Sequence, residues 1–438
     1  MSKFSEHPLR ESLANEVHAR PYGLLRPPVK VSHLAVLSGE DDAEGDRRHV
    51  QDLCRHFGVD APREGAKHHS GPLETTKHHE LRFKWERHTE FSSYTFYLDG
   101  SFEHPFAGNA IDKIPDDWLG TLPGEVLAAT NLVLEPADGP ERDFGELATL
   151  FANNTVTGSG MMNGAALVWT DFRLHDDGFN RILVRDVDMN QRQAGRLVQR
   201  LLEVATYRMM AMLAFPVARQ VLPKLATYER TLSDLIGRMD ASESGHDERD
   251  TLKSLTNLAA EVEALSLDIN YRFTAASAYH ALVNRRIEEL REVRIGDISQ
   301  VRGLQPPGEF VTRRLAPAMD TCKSALKRLN TLSRRVGRAS DLLRTRVDVA
   351  LEEQNRDLLE SMDSRARLQL RLQETVEGLS VVAISYYLVG LVAYGAKSAK
   401  ALGLPINAEI TTGISLPVII LLVWYAMRRF RRKITKAE

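Results

Sequence analysis

LSVVAISYYLVGLVAYGA (Leu379–Ala396) and ITTGISLPVIILLVWYAM (Ile410–Met427) are two closely spaced stretches of 18 residues without a single charged side chain. As helices each would be roughly 27 Å long, close to the hydrocarbon core of about 30 Å that a bilayer presents. The 13 residues between them, Lys397–Glu409, hold Gly403 and Pro405 and read as a short connection. A basic tail follows: Arg428, Arg429, Arg431, Arg432, Lys433 and Lys436. One such stretch could equally be a core helix of a soluble protein. Two in tandem, closed by clustered basic residues, read as a C-terminal membrane hairpin, and the tail places that end in the cytoplasm against anionic headgroups. Two spans return the large N-terminal part to the cytoplasm as well. The start, Met1–Leu13, has no apolar run of the kind a signal peptide needs. Nothing else in the chain reads as membrane-spanning.

Upstream, Glu309–Ala396 is compatible with one helix of about 88 residues, roughly 130 Å if straight. Leu329, Val336, Leu343, Val347, Leu351, Leu358, Met362, Leu372, Val376 and Leu379 recur along it at steps of three, four, seven or ten among Arg, Glu and Asp. A narrow apolar stripe on a charged helix demands a partner helix, either from the same chain or from a second copy. The stripe leaves both open. Pro317 lies in the first turns and is expected to kink them.

The N-terminal half has a different texture. Residues 1–28 form an arm in which Pro8, Pro21, Pro27 and Pro28 limit regular structure to a short helix around Leu9–Val17. Val29–Leu37 reads as a strand and Asp41–Phe57 as a helix, with Asp41 or Asp42 as cap and Gly58 as stop. In Thr76–Leu98 the period becomes two. Leu81, Phe83 and Trp85 alternate with Arg82, Lys84 and Glu86, which describes a strand with one buried face, and Phe91–Leu98 is its antiparallel neighbour. Glu125–Leu134 is a further strand and Phe144–Phe151 a short helix. Val156–Phe172 with Arg181–Val187 reads as a second hairpin across Asp176-Asp177-Gly178. After Asp188 strand signals stop: Asn190–Leu213, Leu225–Met239 and Leu252–Ile295 read as helices, separated by a break at Pro216 and Pro223 and a polar turn at Ser242–Asp247.

The predicted fold class is therefore an α+β cytoplasmic domain followed by a helical bundle with a long stalk helix and a C-terminal two-helix transmembrane hairpin. Its parts are the arm (1–28), the α+β domain (29–188), the bundle (189–305), the stalk (306–378), the hairpin (379–427) and the basic tail (428–438).

Composition excludes several functions. A net charge of −2 over 438 residues gives no global attraction to nucleic acid. Two cysteines, Cys54 and Cys322, suit a reducing compartment and offer no thiol metal motif. His68, His69, His78, His79 and His88 lie close in sequence, yet His78 and His79 point to opposite faces of a strand, and His-His pairs beside Gly71-Pro72 suit a solvated loop. The run Thr157–Gly164 is Gly-rich but neither follows a strand nor opens a helix with a Lys, so it reads as a flexible strand or bulge rather than a phosphate loop. Arg285-Arg286 and Arg334-Arg335 read as solvated faces. No nucleophile elbow, P-loop, dinucleotide fingerprint or HExxH occurs. No catalytic residue, metal ligand or cofactor is expected, and the chain does not read as an enzyme.

Four stretches carry a resemblance: LANEVHARP (Leu13–Pro21), KWERHTEFSSYTF (Lys84–Phe96), GRLVQRLLEVATYRMM (Gly195–Met210) and RRLAPAMDTC (Arg313–Cys322). They resemble a bacterial family of uncharacterised membrane-anchored proteins, defined by a domain of unknown function, over nearly the whole chain. That implies the bacterial inner membrane and supplies no activity. The order of parts is also similar to that of the CorA-type divalent-cation channels, which are pentamers whose first span lines the pore and ends in Tyr-Gly-Met-Asn. Here Tyr394-Gly395 stand at the matching place, followed by Ala396 and Lys397.

That likeness implies a homo-oligomer in the lipid bilayer, a pentamer by analogy, that passes a small ion. Extending the stripe at helical spacing nominates Ala383, Tyr386, Gly390 and Tyr394 as pore-lining candidates. Lys397 lies three residues on, within about 60° of Tyr394 around a helix, and a ring of ammonium groups there would repel cations. Close helix packing and interfacial anchoring account for the same residues without a pore. The alternative function is a membrane-tethered cytoplasmic scaffold or sensor that transports nothing.

Overall fold

The computed structural model describes residues 7–10, 13–14, 22–39, 42–241, 245–294, 303–402, 405 and 407–434, with backbone alone for 241, 245–247 and 430–434. Part of the helix expected around Leu9–Val17, the end of the basic tail and part of the Lys397–Glu409 connection lie outside the described residues; Arg10, Leu13 and Ala14 are helical. The chain divides into two compact units, Met1–Asp240 with Lys253–Ala339, and Ala241–Leu252 with Ser340–Glu438.

The first unit is built on an eight-stranded sheet. In chain order the strands are β1 (Val29–Leu37), β2 (His68–Thr75), β3 (Glu80–Arg87), β4 (Ser92–Asp99), β5 (Glu125–Glu135), β6 (Thr157–Met161), β7 (Ala166–Leu174) and β8 (Asn180–Asp186). They lie in the order β2-β3-β4-β1-β5-β8-β7-β6. Every pair is antiparallel except β5 with β8.

The helices between and after them are α1 (Ala43–Phe57), α2 (Asp116–Leu119), α3 (Phe144–Leu150), α4 (Gln191–Met212), α5 (Ala214–Ala241), α6 (Gly245–Leu290), α7 (Pro307–Ala401) and α8 (Ala408–Ile434). The expected cap and stop of α1 are present: Asp42 accepts from the Gly45 N–H, and Gly58 is left-handed at φ 67°.

Alternation along the strands sends apolar side chains to both faces. On one face Leu34, Val36, Leu81, Phe83, Trp85, Tyr94 and Phe96 bury against Val50, Leu53 and Cys54 of α1 and against Trp118 of α2. Further along that face Val133, Leu167, Trp169 and Leu183 bury against Leu147 of α3 and Phe151. On the other face Val29, Val31, Leu132, Leu134, Val168, Ile182 and Val184 meet Ala194, Leu197, Val198, Leu201, Leu202 and Val204 of α4. Each fully buried side chain of this size contributes about 1.5–3 kcal/mol. The sheet thus has helices on both faces.

Helix α4 is held at its start by a reciprocal cap: Asn190 accepts from the N–H groups of Arg192 and Gln193, while the Gln193 side chain accepts from the Asn190 N–H. One turn later the chain of the N-terminal arm crosses it. A Cβ on Gly195 would stand 1.8 Å from the Gly23 carbonyl oxygen, so only glycine admits that crossing.

Several local expectations need correction. β2 is a strand where a solvated loop is expected; Pro72 sits in it because β2 is at the edge of the sheet, with a register shift between Pro72 and Glu74. Val156–Phe172 is two strands, turned by Met162 and Asn163 at φ 57° and 62° and Gly164 at φ 92°. The break after α4 falls at Leu213, not at Pro216 and Pro223. Pro216 occupies the first turn of α5, where its missing N–H costs nothing, and Pro223 lies inside the helix.

Among the described residues, three helical stretches are long and apolar enough to cross a membrane by length and composition. They differ in how far the protein covers them. The stretch Gln191–Asp240 has a window of mean hydropathy 1.3 that is 56% buried. Those of α7 and α8 have mean hydropathies of 1.8 and 2.0 and are 6% buried.

Candidate functional site

The polar face of β3 is not a solvent face. Lys84 and Glu86, which alternation directs away from Phe83 and Trp85, together with Ser93, Thr95 and Tyr97 of β4 and His33 of β1, line a pocket of ≈ 250 Å³. Gln199, Leu202, Glu203, Thr206 and Tyr207 of α4, Arg286 of α6, and His88 and Phe91 from the β3–β4 turn complete it. The register explains the grouping: Thr95 pairs with both Lys84 and His33, and Ser93 pairs with Glu86, so their side chains share one face. All of these residues belong to the first unit.

His33 forms the floor. One ring nitrogen, Nδ1, lies 2.8 Å from Thr95 Oγ1 and the other, Nε2, 3.0 Å from Thr206 Oγ1, which ties the sheet to α4. Burial, assisted by the positive charge of Lys84, pushes its pKa down to about 4, so it is neutral at pH 7. Burial and then the Glu86 carboxylate raise the Tyr97 hydroxyl above its ordinary value.

The walls carry two sets of ion pairs. Lys84 Nζ stands 3.1 Å from Glu86 Oε1 on β3. Across the pocket Arg286 bonds Glu203 and, at 2.8 Å, Glu289, which Arg200 also reaches at 3.1 Å. Burial opposes the charge on Arg286, but the carboxylates of Glu203 and Glu289 outweigh it and raise its pKa. Gln199 donates to Glu203 Oε1 at 2.8 Å. Apolar surface comes from Phe91, stacked on His88 at 4.2 Å, and from Tyr207, stacked on Tyr279 at 5.8 Å.

Among the described residues no three His, Cys, Asp or Glu side chains are placed to hold a metal ion. A wider groove of ≈ 480 Å³ passes Lys30, but the ammonium there is already engaged by the backbone carbonyls of His104 and Gly108 at 2.9 and 3.3 Å.

A family model described as protein of unknown function (DUF3422) matches residues 5–434. The chain belongs to the DUF3422 family. No curated protein and no solved structure matches it. Two of the stretches that carry the family resemblance are the ones that build the pocket. Lys84–Phe96 supplies six of its fourteen lining residues and Gly195–Met210 supplies five.

The residues nominated from the sequence lie elsewhere, in the second unit. On α7, Ala383, Tyr386, Tyr394 and Lys397 are exposed and Gly390 is half-buried, while Ser385 and Ala396 are buried. Tyr386 and Tyr394 are 77% and 73% exposed. Sequence reasoning missed the pocket altogether. Arg286, expected on a solvated face, is one of its walls, whereas its neighbour Arg285 does project outward, its side chain 72% exposed. The available signal was the period-two row Ser93, Thr95, Tyr97 opposite Lys84 and Glu86: a strand face of hydroxyls and mutually opposite charges suits a lined cavity as well as it suits water.

Proposed function

We propose that this DUF3422 chain is an inner-membrane protein in which α7 and α8 supply two C-terminal spans. On this reading its cytoplasmic first unit is a tethered binding device, a sensor or scaffold, whose ligand occupies the pocket above β3 and β4. The observation that carries the reading is the contrast in cover. Two apolar stretches are left almost bare by the protein while a third is packed in the core, and a bare apolar helix of span length needs lipid around it. α7 adds a physical link, since one helix of 95 residues holds both Val311 beside the sheet and the apolar stretch.

Cysteine labelling tests the topology. A membrane-impermeant maleimide is expected to reach Ser398→Cys in intact cells and Ser101→Cys only after lysis. Recovery of the chain in the soluble fraction, or labelling of Ser101→Cys in intact cells, would overturn the assignment.

A second reading, an oligomeric ion path of CorA-like build, is favoured by one observation. Along α7 the exposed residues Leu351, Leu358, Met362, Leu372, Val376 and Leu379 keep a spacing that runs on into the exposed Tyr386, as a seam between copies of the helix would.

A further inference from the structure

The pocket above β3 and β4 is lined by equal numbers of permanent charges of each sign, Lys84 and Arg286 against Glu86 and Glu203. All four are engaged, Lys84 with Glu86 and Arg286 with Glu203. A ligand of net charge would have to draw one member away from its partner and leave the other buried and uncompensated, which proteins resist strongly.

Apart from Glu86 Oε1, which is held by the charge of Lys84 but makes no hydrogen bond, what the lining leaves open is neutral. The Tyr97 hydroxyl makes no hydrogen bond among the described residues. Gln199 spends an amide N–H on Glu203, which leaves its carbonyl oxygen to accept. A neutral His33 has one donor and one acceptor nitrogen, so it donates to one of its two threonine hydroxyls and accepts from the other. The hydroxyl that accepts from the ring keeps its own hydrogen for a further partner.

We infer from this arrangement that the pocket takes a neutral, polyhydroxylated small molecule of about monosaccharide size. Hydroxyl groups both donate and accept, as the open groups require, and the C–H face of such a molecule suits the apolar rings of Phe91 and Tyr207. Size agrees: ≈ 250 Å³ lies below the about 300–1,000 Å³ of pockets for drug-sized ligands. The inference rests on the reading of this pocket as the binding site of the first unit.

The test is thermal protection of the full chain in lipid nanodiscs, since detergents with sugar headgroups would compete. Probes are glucose, ribose and myo-inositol as neutral polyols, glycine as a zwitterion, succinate as an anion and spermidine as a cation. At least one polyol is expected to raise the melting temperature saturably, and the charged probes are not. Tyr97→Phe, which removes one hydroxyl, should melt like the wild type without ligand, whereas Gln199→Met also gives up the bond to Glu203 and should melt lower; both should bind the polyol about two- to tenfold more weakly. Protection by a charged probe that these variants weaken would keep the pocket and overturn the ligand class. Polyol binding unchanged in both variants would overturn the site. Absence of protection by every probe would overturn the ligand class alone, since a sensor or scaffold need not bind any of these six, and the membrane topology stands on its own labelling test.

Discussion

Protonating His33 would bury a positive charge close to Lys84 and turn an acceptor nitrogen against a threonine oxygen. Its pKa of about 4 in the folded chain lies below the ordinary 6.5. As pH falls through 6.5 the unfolded chain takes up this proton and the folded chain does not, so the contribution is complete above pH 6.5 and is lost down to about 4. The full difference is on the order of 3 kcal/mol. Replacing His33 with Gln should lower stability by about 1–3 kcal/mol at pH 7.5, through imperfectly met hydroxyls, and flatten the fall toward acid. His49, also pushed to about 4 by burial, titrates in the same window. The comparison of variant with wild type therefore isolates His33. Thermal melts of the two chains between pH 7.5 and 4.5 check this, and parallel curves would remove His33 from the account. At this scale the sequence was partly legible. The alternation of Leu81, Phe83 and Trp85 with charged residues was evident, but which solvent or helix met the charged side was not, because α4 lies more than a hundred residues further along the chain.

At the scale of the element, α7 shows where one apolar stripe changes partner. Leu329, Val336 and Leu343 are at most 1% exposed, whereas Leu351, Leu358, Met362, Leu372, Val376 and Leu379 are 37–69% exposed. The chain covers the first group and leaves the second bare. Substitution by aspartate should separate the two cases. Leu343→Asp buries a carboxylate without a partner and is expected to cost about 3–5 kcal/mol, read as a lower melting temperature and poor recovery. Leu358→Asp should leave the melting temperature near that of the wild type and reduce the mass in detergent, because its row is the proposed seam between copies. An unchanged mass for Leu358→Asp would assign the bare stripe to some other partner. Both positions look alike in the sequence: each is a leucine in the same periodic row. The same blindness to neighbours explains β2. Its Gly71-Pro72 argues against a strand in isolation and is accommodated only because the strand lies at a sheet edge.

For the whole molecule, the channel reading makes a prediction about charge. If Tyr394 faces a path on the symmetry axis, Lys397 is a ring of ammonium groups at its mouth, and Lys397→Glu should shift permeability from anions toward cations. Liposomes holding the purified protein under opposed ion gradients would report the reversal. No flux above protein-free vesicles, for wild type and variant alike, would leave the tethered binding device as the remaining reading. The sequence by itself determined the two charge-free stretches, the unbroken helical register leading into the first of them, the sheet-forming first third and the helical remainder, because each is written in local periodicity and composition. Only the tertiary structure decided which apolar stretch is core and which is bare, where the stripe of α7 passes from covered to uncovered, and that the polar faces of β3 and β4 close over a pocket under α4. Those outcomes depend on which surfaces distant segments bring together. A strand or helix carries its own period in its residues, but it does not carry the identity of whatever comes to lie against it.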